Sequence, residues 1–425
     1  MASIRPFAGL RYVAEACSLS NLTAPPYDVL SPAERDAYAN RSPHNVVHLT
    51  LPEQKDDDRS KFIRYARSAA LLTAWRQDGT LAKEVEPAIY RYTQHFSLPG
   101  IPNAISRTAI IALIKVEPYE AGVVLPHEQT FPKHKEDRMR ILEATRSHLE
   151  CIFGLFEDPD GSVLEAIKKA PAAAAFHACS DDGVSHDLEP ITDPETNAKL
   201  SNLLADKKVW IADGHHRYET ALAFRENLGT KEGPVPEDFM MMALCSISDP
   251  GLALLPTHRI LRSIGLSRDE ILERLSKAFD IEQEANIKLM SRIEHLHSAG
   301  TRAFGVAFGG GQGYVLTDKK TGSVLANYMS EESESLKELD VTVLHRVILE
   351  KLLNVVGLEQ IAYTRDADEA IRAVDNGAVA SFLMNPPSVS DMQRIALGGE
   401  KMPQKSTYYY PKILSGLVIW SLNDF

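Results

Sequence analysis

The sequence predicts a mixed α/β fold of the α+β type, and three observations carry that reading. Short apolar strands alternate with capped, amphipathic helices along the 425 residues. Neighbouring strands joined by short turns point to hairpins and therefore to antiparallel pairing. After about residue 262 the texture changes, which marks a separate C-terminal α/β domain. The expected organisation is residues 1–120 as an N-terminal α/β region packed on the core, 121–262 as a phosphate-binding core, and 263–425 as the C-terminal domain.

The first 30 residues read as extended and turn-rich, ending in Ala24-Pro25-Pro26-Tyr27-Asp28-Val29-Leu30. Consecutive prolines remove ladder donors and hold this stretch as a loop. Ser31-Pro32-Ala33-Glu34 then opens a helix, with Ser31 as N-cap and Glu34 closing a capping box. Residues 45–51 are expected as a strand and Asp56 to Gln77 as a long helix stopped by Gly79. Ala88 to Leu98 and Arg107 to Glu117 form a hairpin, and a charged helix spans Lys135 to Ser147. Cys151 to Phe156 reads as a strand, and 160–206 as an Ala-rich helical region broken near Ser180 to Gly183. Lys208 to Ala212 is a strand that feeds, through Asp213-Gly214, a helix from Tyr218 to Leu228. Met240 to Ile247 is a buried strand. Beyond it come a helix (Arg268 to Phe279), a Gly-rich hairpin (Phe304 to Thr317) and a helix from Val341 to Leu353. A helix–strand pair (Asp366 to Met384) and a closing segment from Tyr408 to Trp420 complete the chain.

Composition narrows the function classes. With 46 Lys+Arg against 58 Asp+Glu the net charge is −12, which argues against binding through nucleic-acid phosphates. Cys17, Cys151, Cys179 and Cys245 are widely spaced, so neither a zinc cage nor a disulfide framework is expected. The N-terminus lacks an apolar leader and no run is long enough for a membrane span. A cytoplasmic protein acting on a small molecule is expected, with an oligomer allowed.

Asp213-Gly214-His215-His216-Arg217 is the sharpest chemical signal. A strand delivers the chain to a tight turn and a helix starts at once, so backbone N–H groups and the positive helix end converge. Arg217 and the two imidazoles add donors suited to phosphate, and Gly214 permits close approach. The ordinary alternative is Asp213 as a helix N-cap with surface histidines. His127-Glu128 offers a general base beside the basic helix residues Lys133, Lys135 and Arg138, against the alternative of solvated loop and helix charges.

Asp213, His215, His216, His127, Glu128, His134 and His258 include metal-ligand types, but no organised spacing joins them. No dedicated metal site is expected; Mg²⁺ bridging substrate phosphates needs only one or two carboxylates. Phe308 to Gly313 lacks GK[ST] and opens no helix, so it reads as a hairpin turn. Lys401 to Lys412 gathers lysines, hydroxyls and aromatics, either as a second phosphate or substrate contact or as an ordinary edge strand.

Pro6-Phe7 with Gly9-Leu10-Arg11-Tyr12, Ala24-Pro25-Pro26-Tyr27-Asp28, His127-Glu128, Asp213-Gly214-His215-His216-Arg217-Tyr218, Leu255-Pro256-Thr257-His258-Arg259 and Met402-Pro403-Gln404-Lys405-Ser406-Thr407-Tyr408 occur in order. Together they resemble the bacterial "domain of unknown function 1015" family over nearly the whole chain. More distantly, the DGHHR segment is similar to that of the free serine kinases of the ParB/sulfiredoxin-like superfamily. That resemblance implies a ParB/sulfiredoxin-like core with an N-terminal elaboration and the C-terminal domain added to it. It implies Glu128 as general base, His216 in catalysis, and Asp213, Gly214, His215, His216 and Arg217 as the phosphate- or nucleotide-binding group. His127, Arg259, Lys405, Ser406 and Thr407 are the expected substrate contacts, Arg259 answering an amino-acid carboxylate. The implied activity is phosphoryl transfer to free L-serine from ATP, ADP or pyrophosphate, with Mg²⁺ on the donor phosphates. A phosphoserine or nucleotide phosphohydrolase at the same site, and a non-catalytic nucleotide-responsive regulator, are the competing expectations.

Overall fold

The computed structural model describes residues 2–13, 16–98, 101, 103–130, 132–229, 231–319, 327–355, 357–403 and 405–425. Pro99, Gly100 and Pro102 of the expected hairpin turn, and Phe131 and Gln404 of the motifs, lie outside the described residues. So do the side chains of Cys17, Lys133 and His134.

The chain divides into two compact units. One comprises Met1–Pro126, Thr130–Ala253 and Pro411–Phe425; the other comprises His127–Gln129 and Leu254–Tyr410. The three-region division at 120 and 262 stays a proposal about folding units.

The first unit is built on a mixed sheet of nine strands among the described residues. In chain order these are β1 (Ile4–Arg5), β2 (Ile89–Phe96), β3 (Ile105–Lys115), β4 (Val124–Leu125), β5 (Ile152–Phe156), β6 (Phe176–Cys179), β7 (Ser185–Ile191), β8 (Val209–Asp213) and β9 (Phe239–Ser246). Their order across the sheet is β4-β8-β5-β9-β3-β2-β7-β6, with β1 also on β3. The β4/β8 and β5/β9 pairs are parallel and the rest antiparallel. Central strands are apolar on both faces: Ala109 to Ile114 and all of β9 are buried.

Helices α1 (Pro32–Ala39), α2 (Ile63–Gln77), α3 (Pro132–Thr145), α4 (Ser162–Lys169), α5 (Pro194–Leu204) and α6 (His215–Asn227) belong to the same unit. The capping box expected at Ser31 and Glu34 is present. One apolar core joins Ile110, Ile114, Ile152, Phe156, Val209, Ile211, Met240 and Leu244 with Tyr218 of α6 and Ile167 of α4. The chain's last segment is woven in as well, through Leu10 to Ile419, Ala24 to Ser415 and Trp420 to His148.

The second unit carries, among the described residues, a six-stranded sheet: β10 (His258–Leu261), β11 (Phe279–Ala285), β12 (Ala303–Ala307), β13 (Gln312–Asp318), β14 (Ile361–Thr364) and β15 (Ala380–Leu383). Their order is β11-β13-β12-β15-β10-β14, antiparallel throughout. Leu289 and Ile293 of the helix Leu289–Ser298, with Ala370 and Val374 of the helix Ala367–Asp375, pack on this sheet's core. The Gly-rich segment is the β12–β13 turn, as its lack of a following helix predicts.

Several local expectations are corrected. Residues 47–50 form a helical turn and not a strand. Asn45 side-chain oxygen accepts from Val47 N at 2.9 Å, and Val46, Val47 and Leu49 are buried, so packing overrides β-propensity. The long helix begins at Ile63, because Asp58 accepts from Lys55 N at 2.8 Å and fixes a turn ahead of it. Within 160–206 the helical reading misses β6 and β7; Ser180 to Gly183 is the turn between them. The helix after Ser267 ends at Leu275 and a strand, β11, begins at Phe279.

Four histidines, His186 and His258 buried and His148 and His345 half-buried, are expected to make stability acid-sensitive. Burial pushes His148, His186 and His258 down to about 4 and His345 to about 3. The unfolded chain takes up these protons first, near the ordinary value of about 6.5, so stability is complete above that pH. Urea unfolding is expected to show stability falling between about pH 6.5 and pH 4, by about 1–3 kcal/mol for each imidazole. A flat profile over that window contradicts the neutral burial of these rings.

Candidate functional site

β8 ends the sheet's run Val209-Trp210-Ile211-Ala212-Asp213, held between β4 and β5 with a register shift between Ile211 and Asp213. The next residue, Gly214, has φ 93° and is the N-cap of α6. A Cβ there would collide with Ile152 Cγ2 and stand 3.1 Å from Arg217 Nε. Both the left-handed backbone and the lack of space therefore demand glycine. Asp213 is the last strand residue and not the helix cap, and Gly214 has no side chain with which to cap α6. The positive end of the helix is left to other partners.

Asp213 carries two cations. Lys412 Nζ lies 2.8 Å from Oδ1, and Arg217 Nη2 donates to Oδ2 at 3.1 Å. Burial works against the charge of Asp213, but Lys412 and Arg217 outweigh it and hold the carboxyl well below the usual range. Arg217 Nη1 donates to Cys151 O at 2.6 Å, while its Nε is buried without a hydrogen-bond partner. Burial also opposes the charge of Arg217; Glu150, Asp213 and Asp28 offset it and raise the guanidinium above its ordinary value. His215 is buried and His216 half-buried.

A second layer comes from the Pro-Pro-Tyr-Asp loop. Tyr27 N donates to Glu150 Oε1 at 3.0 Å, and Ser415 Oγ donates to the same oxygen at 3.0 Å. Arg138 stacks 3.8 Å over the Tyr27 ring, and Arg217 lies 5.9 Å from that ring's centre. Arg138 donates to Thr50 O at 2.9 Å and pairs with Asp137. A cavity of about 50 Å³ is bordered by Arg138, Glu150, Arg217 and Thr220. It is of a size for a small anion or a few waters.

The remaining expected site residues gather in the other unit. His127 Nε2 lies 2.9 Å from Thr407 Oγ1, and His127 O accepts from Met402 N at 2.7 Å. Glu128 Oε1 accepts from Lys405 N at 2.6 Å, and Ser406 Oγ donates to Pro403 O. Arg259 is buried; it donates to His345 Nε2 at 3.2 Å, to Lys405 O at 3.1 Å and to Thr257 O. Burial lowers this guanidinium to about 10, with Tyr363 and Glu128 acting the other way. His127, Glu128, Arg259, Lys405, Ser406 and Thr407 thus form one connected cluster.

Two assignments change character. Arg217 donates through both Nη atoms inside the protein, so its fork is engaged with Asp213 and Cys151 and only Nε stays unpartnered. Arg138 is not a solvated helix charge: it is buried against the face of the Tyr27 ring. Sequence reasoning gave no role to Tyr27 or Glu150, and named Lys412 only within a general segment. The Pro-Pro-Tyr-Asp motif was the available signal for Tyr27; Glu150 had none. Among the described residues no group of three or more His, Cys, Asp or Glu side chains is placed to hold a metal ion.

Gly214→Ala is expected to destabilise the first unit by more than about 2 kcal/mol in urea unfolding, from backbone strain and the Ile152 contact together. Asp213→Ala leaves two partly buried cations short of their carboxylate and is expected to cost about 2–4 kcal/mol. Wild-type stability in either variant would contradict the geometry at this turn.

No helix is long and apolar enough to cross a membrane among the described residues. A comparison with curated proteins finds none that matches. Solved structures similar to this chain include a free serine kinase mutant in complex with ADP, at 12% identity and a TM-score of 0.40, covering 77% of this chain and 99% of that one. A conserved hypothetical protein from Pyrococcus furiosus is similar at 13% identity and a TM-score of 0.37, covering 74% and 97%. SbnI with a C-terminal truncation, from Staphylococcus aureus, is similar at 13% identity and a TM-score of 0.36, covering 72% and 86%. Likeness at this level does not carry an activity from one protein to another. A family model described as "Protein of unknown function (DUF1015)" matches residues 4–342, and the chain belongs to that family.

Proposed function

We propose that the protein is a small-molecule phosphotransferase that transfers a phosphoryl group from ATP, ADP or pyrophosphate to the hydroxyl of free L-serine. One observation carries the phosphate half of this reading: the amino end of α6, whose N-cap Gly214 brings no side chain to it, with Lys412 and the unpartnered Nε–H of Arg217 at the same turn. Helix starts with nearby cations are natural anion sites. The acceptor half rests on the sequence motifs. There Glu128 is assigned the general base and His216 a catalytic contact, with His127, Arg259, Lys405, Ser406 and Thr407 assigned to the acceptor.

In the reaction the serine hydroxyl loses its proton to the base as its oxygen forms a bond to the terminal phosphorus, and the bond to the leaving phosphate breaks. Little covalent help is needed; positioning and charge neutralisation suffice. The role of Asp213 in this reading is to hold Lys412 and Arg217 in place. Mg²⁺, if it accompanies the donor, supplies further charge neutralisation. Both Asp213 oxygens are engaged by cations, so that carboxylate does not fit as a ready metal ligand.

Incubation with L-serine and each donor, followed by phosphorus NMR, is expected to give O-phosphoserine. Glu128→Gln should retain donor binding and lose at least about 100-fold in turnover. Lys412→Ala should weaken donor binding about tenfold or more. Release of free phosphate without O-phosphoserine would favour a hydrolase, and binding without any product a nucleotide-responsive regulator; either outcome overturns the proposal.

A further inference from the structure

The outer strand of the large sheet carries a constellation that no motif above absorbs. Cys179 and His177 are two residues apart on β6 and therefore share a face. In register with them on β7 stand Ser185 and Asp187. Cys179 Sγ lies 3.3 Å from His177 Nε2, and His177 Nδ1 lies 2.8 Å from Asp187 Oδ1. The other carboxylate oxygen of Asp187 lies 3.3 Å from His95 Nε2, and His95 Nδ1 lies 2.8 Å from Ser106 Oγ. A polar chain thus crosses β6, β7, β2 and β3, with a thiol at its open end.

We propose that Cys179 is an activated thiol, a modification site for thiol–disulfide exchange with small disulfides. The order is nucleophile, base and orienting carboxylate, which is the arrangement that activates a weak nucleophile. Asp187 accepts from His177 Nδ1–H and so leaves Nε2 as an acceptor facing the sulfur. Access matches the role. Cys179 is exposed on β6, the last strand of the sheet, whereas Cys151 and Cys245 are buried. Burial pushes the Cys151 thiol up to about 12 and that of Cys245 higher still, so both are held unreactive.

The step balances within the named reactants. Cys179 Sγ attacks one sulfur of R–S–S–R; the new Sγ–S bond forms as the old S–S bond breaks. The thiol proton passes to His177 Nε2 and then to the departing RS⁻, giving the mixed disulfide and RSH. No further oxidant is required. His177 acts on the reacting atom itself, and Asp187 is a positioning residue.

The test uses the full chain and the small aromatic disulfide 5,5′-dithiobis(2-nitrobenzoic acid) at neutral pH, with peptide mapping of the adduct. One thiol is expected to react at least about tenfold faster than a cysteine in an unstructured peptide. Cys179→Ser should abolish that phase. His177→Asn should slow it about tenfold, and His177→Gln, which retains a longer polar side chain, should slow it equally. A fast phase surviving in Cys179→Ser, a peptide-like rate for Cys179, or an unchanged rate in both His177 variants would each overturn the proposal.

Discussion

The carboxylate of Asp213, gripped by Lys412 on one oxygen and Arg217 on the other, is the contact on which the candidate phosphate site depends. Taking three charges out of water is costly, and only close pairing offsets it. Lys412 comes from the last segment of the chain, and Arg217 is one turn into α6. The same contact therefore ties the chain's end, the strand next to one edge of the sheet and a helix start together. Gly214 sits between them with no room for a side chain and in a left-handed backbone conformation, so the turn requires glycine.

The surroundings keep that turn rigid. Arg217 reaches across to Cys151 O ahead of β5, and Glu150 next to it receives Tyr27 N and Ser415 Oγ. Tyr27 lies under Arg138, so a loop near the start of the chain is stacked on a helix more than a hundred residues later. Charged groups alternate in sign through this layer, which lets a largely buried polar network persist. A preorganised helix end of this kind is suited to binding an anion without rearrangement.

Much of this was legible in the chain, where local rules act alone. The Ser31 capping box, the β2–β3 hairpin and the strand-to-helix junction at Asp213-Gly214 all depend on neighbours in sequence. Long-range packing decided the rest. Val46-Val47-His48-Leu49 has the composition of a strand, yet its burial and the Asn45 hydrogen bond make it helical. β6 and β7 were hidden because an Ala-rich stretch ahead of them reads as helix. Lys412 approaches Asp213 from 199 residues away, and His127 meets Thr407 across 280. No periodicity encodes such pairs; motif co-occurrence signalled the second, and only the general Lys401 to Lys412 segment pointed toward the first.

Hydrogen–deuterium exchange of the full chain, with and without pyrophosphate or a non-hydrolysable ATP analogue, reads the central claim most directly. Ligand should slow exchange of the backbone amides in peptides covering residues 211–220, and Lys412→Ala should diminish that slowing. Unaltered exchange across this turn while a ligand demonstrably binds, with protection confined to other segments, would contradict the account.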